Sequence, residues 1–156
     1  MSIGLLVSGG LGLEALKHVT KHNKPVFVFT NKTSKAIVDY CLVKNIPVFI
    51  GNPRNRTTSK FLVDKQVDII FSINYLFLIE RDILDFPLKY CINIHGSLLP
   101  KYRGRTPHVW SIINNEKQTG VTAHIINENC DTGAIVKQEI IDISADDTGA
   151  TLLEKY

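Results

Sequence analysis

Short apolar runs rich in β-branched and aromatic residues alternate with stretches of helical spacing along the first part of this chain. The runs lie at residues 3–8, 25–30, 47–50 and 67–73. Between the first two runs, Leu11, Ala15, Leu16 and Val19 share one helical face. Strands that alternate with helices are joined by right-handed crossovers and form a parallel sheet that helices cover on both faces. We therefore expect an α/β fold of the Rossmann-like class, with a mostly parallel sheet and flanking helices.

The second part of the chain continues this alternation. We expect further elements at residues 81–85 (helix), 90–94 (strand), 107–114 (helix), 120–126 (strand) and 134–141 (strand). Asp147 and Thr148 begin a last helix, which has few residues before the sequence ends. A chain of 156 residues fits one domain. We expect residues 1–156 to be one domain that is truncated at its C-terminal end.

Composition narrows the class of protein. The longest apolar stretch, residues 67–79, is interrupted by polar residues and is shorter than the roughly 20 residues that a membrane span needs, so we expect no membrane association. The net charge of +3 is too small to indicate a nucleic-acid partner by itself but suits an anionic small substrate. Cys41, Cys91 and Cys130 form no CxxC pair, which predicts reduced, buried thiols in a cytoplasmic protein and no metal site.

A glycine-containing segment follows the first apolar run. Gly10-Leu11-Gly12-Leu13-Glu14-Ala15 has the spacing of dinucleotide-binding loops, whose glycines let a phosphate approach the N–H groups at a helix N-terminus. An NAD site also has an acidic residue about 20 positions later, whereas this chain has Thr30, Asn31 and Lys32 there. Three interpretations stay open: a turn without a ligand, a phosphate site for a substrate, and an NADP site.

Asn93 and His95 are the most informative residues of the predicted fifth strand. They are two positions apart, so both side chains point to the same face of a sheet whose strands are otherwise apolar. Histidine exchanges protons near neutral pH, and an amide N–H can stabilise an oxygen that gains negative charge. Asp131, in the loop at residues 127–133, is the carboxylate best placed to orient this imidazole.

Each of these residues also has a purely structural interpretation. His95 alone fits a buried histidine with satisfied hydrogen bonds, and Asn93 fits a residue that closes a turn. Asp131 followed by Thr132 and Gly133 is a favourable turn sequence. Spacing by itself therefore leaves a catalytic triad and a structural arrangement both open.

Three motifs in this order resemble those of the formyltransferases that use 10-formyltetrahydrofolate. The motifs are INIHGSLLPKYRG, TGVTAHII and CDTGAIVKQ. The family includes glycinamide ribonucleotide transformylase, methionyl-tRNA formyltransferase and the sugar N-formyltransferases. The resemblance covers nearly the whole chain and is strongest from residue 67 onward. It implies that residues 1–156 form a formyltransferase catalytic domain with 10-formyltetrahydrofolate as the formyl donor.

The resemblance also implies roles for individual residues. The catalytic residues of the family match Asn93, His95 and Asp131. Positions that contact the pterin of the folate match the backbone of Phe77 and Ile79 and the loop of Asn127, Glu128 and Asn129. Glycinamide ribonucleotide transformylase is the purine enzyme of the family. Its region that binds the substrate phosphate matches Ser8, Gly9 and Gly10. His124 falls where the purine enzyme has a histidine, and an inward-facing strand residue explains it equally well.

The acceptor amine is predicted from finer features. HGSLLPKYRGRTP resembles the nucleotide-sugar and tRNA enzymes, whereas the purine enzyme typically has proline at Gly96. The opening GTPxFA of the tRNA enzyme is not found, and the net charge falls short of the basic surface of a tRNA binder. We therefore expect a nucleotide-linked amino sugar, whose diphosphate would contact Lys101, Arg103 and Arg105, although these cations also fit a solvated loop. Methionyl-tRNA and glycinamide ribonucleotide stay as alternative acceptors.

Other functions stay open at this point. Water as the acceptor would make the protein a formyltetrahydrofolate hydrolase. An NADP-binding oxidoreductase would use the turn at Gly10 and Gly12, and a non-catalytic remnant would bind folate without turnover. Sugar and tRNA enzymes normally carry a further C-terminal domain, so we expect any oligomer to form through such a missing region.

Overall fold

The computed structural model describes residues 1–156, which fold as two compact units, Met1–Ile92 and Asn93–Tyr156. The first unit contains the strands β1 (Ile3–Val7), β2 (Phe27–Thr30), β3 (Val48–Ile50) and β4 (Ile69–Ile73) and the helices α1 (Gly9–Thr20), α2 (Lys35–Val43), α3 (Ser59–Leu62) and α4 (Arg81–Leu84). Strand β5 (Tyr90–His95) begins in the first unit and ends in the second. The second unit continues with α5 (Pro107–Ile113), β6 (Gln118–Ile125), β7 (Ile135–Asp142) and α6 (Gly149–Glu154).

The strands of the first unit form a parallel sheet. β1 lies between β2 and β4, and β3 pairs with β2 on the outer side. The registers pair Leu5 with Val28 and Phe71. The sheet order runs β3-β2-β1-β4-β5 through the first unit and β5-β6-β7 through the second. The predicted Rossmann-like α/β fold, a mostly parallel sheet of seven strands with flanking helices, is confirmed.

The core of the first unit explains why its strands are apolar without alternation. Leu5, Val7 and Val28 pack with Leu16 of α1 and Ile37 of α2. The opposite face carries an aromatic cluster with ring centroids 5.1–6.3 Å apart, formed by Phe27, Phe29, Phe49, Phe61 and Phe86. Because both faces of these strands are buried, apolar side chains are needed at consecutive positions.

The two strands that belong wholly to the second unit form an antiparallel pair. Val121 of β6 is opposite Glu139 of β7, and a loop of nine residues joins the strands. Seven of the eight residues of β7 are exposed, which is typical of an edge strand. The continuous apolar character expected of buried parallel strands therefore does not extend to this end of the sheet.

The predicted elements are all found, with boundaries that differ by at most two residues. The one-turn helix α3 was not predicted, because four residues give no periodic apolar pattern. α6 begins one residue after Thr148, whose hydroxyl accepts a hydrogen bond of 3.2 Å from the N–H of Thr151. Every helix is too short or too polar to span a bilayer.

The glycines of the predicted dinucleotide-binding spacing lie inside α1 rather than in a loop before it. A Cβ atom on Gly12 would be 3.1 Å from Cβ of Val7, so this glycine allows the helix to pack closely against β1. Lys32 is exposed just beyond the end of β2. Helix-to-strand packing therefore accounts for Gly12 without a bound ligand.

Candidate active site

β5 presents a polar pair at its C-terminal end. Asn93 is half-buried and His95, the last residue of the strand, is 6% exposed. Their spacing of two residues places both side chains on one face of the strand. Asn93 and His95 therefore enter the same cluster of hydrogen bonds in the second unit.

The imidazole of His95 is held at both of its nitrogens. Nε2–H donates a hydrogen bond of 2.8 Å to the backbone carbonyl oxygen of Tyr102. Because a carbonyl oxygen only accepts, this bond places a hydrogen on Nε2. Nδ1 lies 3.6 Å from Oδ2 of Asp131, which is slightly longer than a hydrogen bond. Nδ1 is therefore the ring nitrogen that can exchange a proton with a bound group.

Asp131 occupies the centre of the cluster. Its backbone has φ of +50°, a conformation that aspartate adopts more readily than most residues. Oδ2 accepts a hydrogen bond of 2.8 Å from the N–H of Gly104, and Oδ1 lies 3.4 Å from Nδ2 of Asn93. The structure thus brings together the three predicted catalytic residues.

The surroundings of Asp131 keep its carboxylate ionised. Burial by itself raises the pKa of Asp131, because a charged group loses solvation. The close approach of His124, the hydrogen bond from the N–H of Gly104 and the nearby His95 outweigh burial and hold the pKa well below its usual range. Asp131 therefore carries a negative charge throughout the neutral pH range.

His124 is a fourth member of the cluster, and the sequence left its role open. Its Nδ1–H donates to the carbonyl oxygen of Ile125 at 3.0 Å, so Nε2 faces Asn93 and Asp131. Nε2 lies 3.2 Å from Nδ2 of Asn93 and 3.4 Å from Oδ1 of Asp131. His124 is 1% exposed, and its inward position on β6 is the signal that the sequence offers. We infer that it orients Asn93 and Asp131.

The motif that contains His95 is fixed by the motif on β6. Thr122, which is fully buried, donates from Oγ1 to the carbonyl oxygen of Ser97 at 2.6 Å and accepts from the N–H of Leu99 at 3.1 Å. Gln138 of β7 donates to the carbonyl oxygen of Leu99 at 3.0 Å and to Thr122 Oγ1 at 2.9 Å. These hydrogen bonds join all three sequence motifs.

The loop between β6 and β7 depends on a glycine next to the catalytic carboxylate. A Cβ atom on Gly133 would collide with the carbonyl oxygen of Ile125, so no larger residue fits there without movement of the strand. Cys130 is exposed, and its thiol donates to Oδ2 of Asp131 at 3.4 Å. Burial and the neighbouring Asp131 raise the pKa of this thiol.

The loop that is predicted to contact the pterin lies just before Asp131 in the chain. Oδ1 of Asn127 accepts hydrogen bonds from the N–H of Asn129 at 3.1 Å and from Oγ1 of Thr132 at 2.9 Å. This side chain therefore shapes the loop. Asn127, Glu128 and Asn129 are exposed, and their contact with a pterin stays a prediction.

The other predicted pterin contacts lie in the first unit. Phe77 and Ile79 are half-buried in the irregular segment between β4 and α4. No hydrogen bond in the structure uses the backbone N–H or C=O of either residue. Unpaired backbone groups of this kind suit a planar ligand that donates and accepts hydrogen bonds at its edge. This observation supports the prediction without testing it.

The predicted phosphate-binding residues are at the start of α1. The N–H of Gly9 already donates to Oγ of Ser34 at 2.9 Å, so it is not available to a phosphate in this conformation. Ser8 is 1% exposed, and its Oγ has no hydrogen-bond partner. Gly10 is exposed. A substrate-binding role for these three residues stays a prediction.

The three cations predicted to bind the acceptor are on the loop between β5 and α5. Lys101 forms an ion pair of 3.1 Å with Glu116, so its charge is partly balanced by the protein. Arg103 and Arg105 are exposed and have no carboxylate partner within ion-pair distance. The arginines are therefore better suited than Lys101 to meet an anionic substrate.

The comparisons with known proteins agree with this fold. A family described as Formyl transferase matches residues 5–156, so this chain belongs to the formyl transferase family. The chain is 38% identical over 146 residues to the bifunctional polymyxin resistance protein ArnA of Wigglesworthia glossinidia brevipalpis, across 92% of this chain and 21% of that protein. It is 36% identical over 142 residues to a methionyl-tRNA formyltransferase of Pelotomaculum thermopropionicum, across 90% of this chain and 45% of the relative.

A solved structure shares the fold over almost the whole chain. It is the phosphoribosylglycinamide formyltransferase of Bacillus halodurans, with a TM-score of 0.86 and 29% identity, covering 99% of this chain and 87% of the other. The chain spans less than half the length of the two curated relatives. The predicted family and the predicted fold are confirmed, and 10-formyltetrahydrofolate, the predicted donor, is the donor that this family uses.

Proposed function

We propose that this protein transfers the formyl group of 10-formyltetrahydrofolate to the primary amine of a nucleotide-linked amino sugar. The observation that supports this proposal most strongly concerns the loop between β5 and α5, which has two features. This loop contacts His95 through the carbonyl of Tyr102 and Asp131 through the N–H of Gly104. The same loop carries Arg103 and Arg105, so an anionic substrate bound there would lie beside the catalytic cluster.

The reaction forms one C–N bond and breaks another. The acceptor amine attacks the formyl carbon, and the formyl oxygen gains negative charge in the tetrahedral intermediate. The amide of Asn93 and protonated His95 are the donors available to stabilise that oxygen. Asp131, whose carboxylate is ionised at the start of the reaction, orients His95 and accepts the extra proton of the amine through a water molecule. His95 or that water then protonates the folate nitrogen as the C–N bond to the formyl group breaks.

The preference for a nucleotide-linked sugar follows from the charge of the substrate. A diphosphate carries two or more negative charges, which matches two exposed arginines better than it matches a neutral surface. Trp110 is 51% exposed on α5, three residues after Pro107, and offers an apolar surface on the helix that follows this loop. A transfer RNA would need a wider basic surface than a net charge of +3 provides.

The experiment is to incubate the full chain with 10-formyltetrahydrofolate and three kinds of acceptor. The acceptors are nucleotide-linked amino sugars, glycinamide ribonucleotide and charged initiator tRNA, and mass spectrometry detects the gain of one formyl group. We expect formylation of an amino sugar. Formylation of tRNA or glycinamide ribonucleotide alone would contradict the proposed acceptor but keep the chemistry. Hydrolysis to formate with no formylated acceptor would replace it with a hydrolase.

A comparison with a variant of another exposed cation tests the role of the loop. Replacing Arg103 and Arg105 with alanine should raise the KM for the nucleotide-linked substrate, with a smaller change for the donor. Lys137→Ala on β7 removes one positive charge from an exposed residue of the same unit and serves as the control. An unchanged KM in the double arginine variant would remove these residues from the substrate site.

A further inference from the structure

Tyr102 contacts His95 through its backbone carbonyl, while its side chain contacts a different residue. Its carbonyl oxygen accepts the hydrogen bond of 2.8 Å from His95 Nε2. The backbone of Tyr102 has φ of +55°, a region that a bulky residue adopts only when its surroundings hold it there. The contacts that hold Tyr102 therefore also determine where its carbonyl oxygen lies.

Glu116 provides these contacts. The hydroxyl of Tyr102 donates a hydrogen bond of 2.7 Å to Oε1 of Glu116, and Nζ of Lys101 lies 3.1 Å from the same oxygen. Glu116 is fixed in turn, because its N–H donates to the carbonyl oxygen of Ser111 at 3.0 Å. The hydrogen bond from Tyr102 is the main reason that the pKa of Glu116 is lowered, which agrees with a maintained contact.

The rest of the loop transmits the position of Tyr102 to both catalytic groups. Oγ of Ser97, a fully buried residue, donates to the carbonyl oxygen of Lys101 at 2.6 Å. Two residues after Tyr102, the N–H of Gly104 donates to Asp131. If the carbonyl of Tyr102 moves away, the carboxylate of Asp131 is the remaining acceptor beside the ring of His95. The ring hydrogen would then move from Nε2 to Nδ1.

We propose that Glu116 is a positioning residue for formyl transfer, acting through Tyr102 to set the orientation and tautomer of His95. This inference rests on the formyl-transfer chemistry proposed above, but it concerns the state of His95 in the protein without substrate. Glu116 touches no reacting atom and lies outside the set of residues that the sequence motifs predict.

The test is nitrogen NMR of the histidine rings in the full chain without ligands, at a pH where imidazoles are neutral. The signal of His95 is identified by its loss in His95→Gln. In the wild type we expect the hydrogen on Nε2. In Tyr102→Phe, which removes only the hydroxyl, and in Glu116→Ala we expect a shift toward the Nδ1–H tautomer. Glu116→Gln keeps an acceptor for the hydroxyl and should retain the wild-type signal.

The matched control is Glu139→Ala, which removes a glutamate that forms an exposed ion pair with Lys137 on β7. It should leave the His95 signal unchanged. In formyl transfer, we expect Tyr102→Phe and Glu116→Ala to lower kcat by about 10- to 100-fold, the range that small misplacements of catalytic groups produce, with little change in the KM of the donor. Wild-type His95 signals in folded Tyr102→Phe and Glu116→Ala would overturn the inference, whether or not the enzyme formylates an amino sugar.

Discussion

The N–H of Gly104 donates a hydrogen bond of 2.8 Å to the carboxylate of Asp131, although the two residues are 27 positions apart in the chain. This bond joins the loop that follows β5 to the loop that precedes β7. It also fixes the carboxylate at 3.6 Å from Nδ1 of His95. The position of Asp131 relative to His95 therefore depends on the backbone N–H of Gly104. This contact depends on the conformation of the loop more than on the side chain at position 104.

Because of Asp131, the stability of the protein should fall as the pH falls in the acid range. Its pKa is lowered in the folded state, and an unfolded aspartate has a pKa of about 3.9. A lowered pKa contributes stability above the unfolded value, and this contribution is lost as the pH falls through the folded value. In urea unfolding, Asp131→Asn should be less stable than wild type at pH 7 by roughly 1–3 kcal/mol, the cost of leaving buried donors unpaired.

This difference in free energy of unfolding should shrink as the pH falls below about 4, since the wild-type carboxylate then begins to lose its advantage. A difference that stays constant from neutral to acid pH would show that the charge of Asp131 contributes nothing to stability.

The same glycine-to-alanine change should have opposite effects at two positions. In Gly133→Ala the new methyl group meets the carbonyl oxygen of Ile125, and overpacking of this kind costs about 1–3 kcal/mol. In Gly10→Ala the methyl group meets no atom within 4 Å, and a helix gains about 0.5–1 kcal/mol when alanine replaces glycine. Thermal unfolding of both variants measures these effects. Equal effects of the two substitutions would contradict the close approach at Gly133.

The three thiols should differ in reactivity. Burial raises the pKa of Cys41 to about 11 and that of Cys91 to about 12, whereas Cys130 is exposed. Brief treatment of the native protein with iodoacetamide should therefore add one label, at Cys130, and denatured protein should take three. Peptide mass spectrometry identifies the sites, and Cys130→Ser is the control that should take no label when folded. Rapid labelling of Cys41 or Cys91 would contradict their burial.

Labelling should also affect the reaction. The thiol of Cys130 is 3.4 Å from Oδ2 of Asp131, so an added carboxamidomethyl group occupies space beside the catalytic carboxylate. We expect formyl transfer to fall as the label is incorporated, and Cys130→Ser should be protected from this loss. Full activity after complete labelling would place the reacting atoms away from this side of Asp131.

Sequence patterns predicted the parallel sheet because burial on both faces leaves a direct signature, an unbroken apolar run such as Ile3–Val7. They also predicted Asn93 and His95, since two polar residues on one face of such a strand conflict with burial. The part played by Tyr102 had no such signature. Its backbone carbonyl accepts a hydrogen bond from His95 in a left-handed conformation, and its side chain contacts Glu116, which is 14 positions away in the chain.

His124 shows a second limit. A histidine at an inward position of β6 fits either a structural or a catalytic role, and its distances of 3.2 Å to Asn93 and 3.4 Å to Asp131 become known only from the structure. Lys101 shows the reverse case, because the sequence groups it with Arg103 and Arg105 while the structure pairs it with Glu116. Both His124 and Lys101 contact residues that are distant in sequence, so the sequence alone does not reveal these contacts.

The most direct test of the proposed chemistry is the rate of formyl transfer by the full chain and by Asn93→Ala, His95→Gln and Asp131→Asn. Removal of one donor to a developing oxyanion typically costs about 10²- to 10³-fold in rate, so each variant should lose activity by at least about that factor while circular dichroism shows a folded protein. A folded variant of any of these three residues that transfers the formyl group at the wild-type rate would contradict the role proposed for that residue.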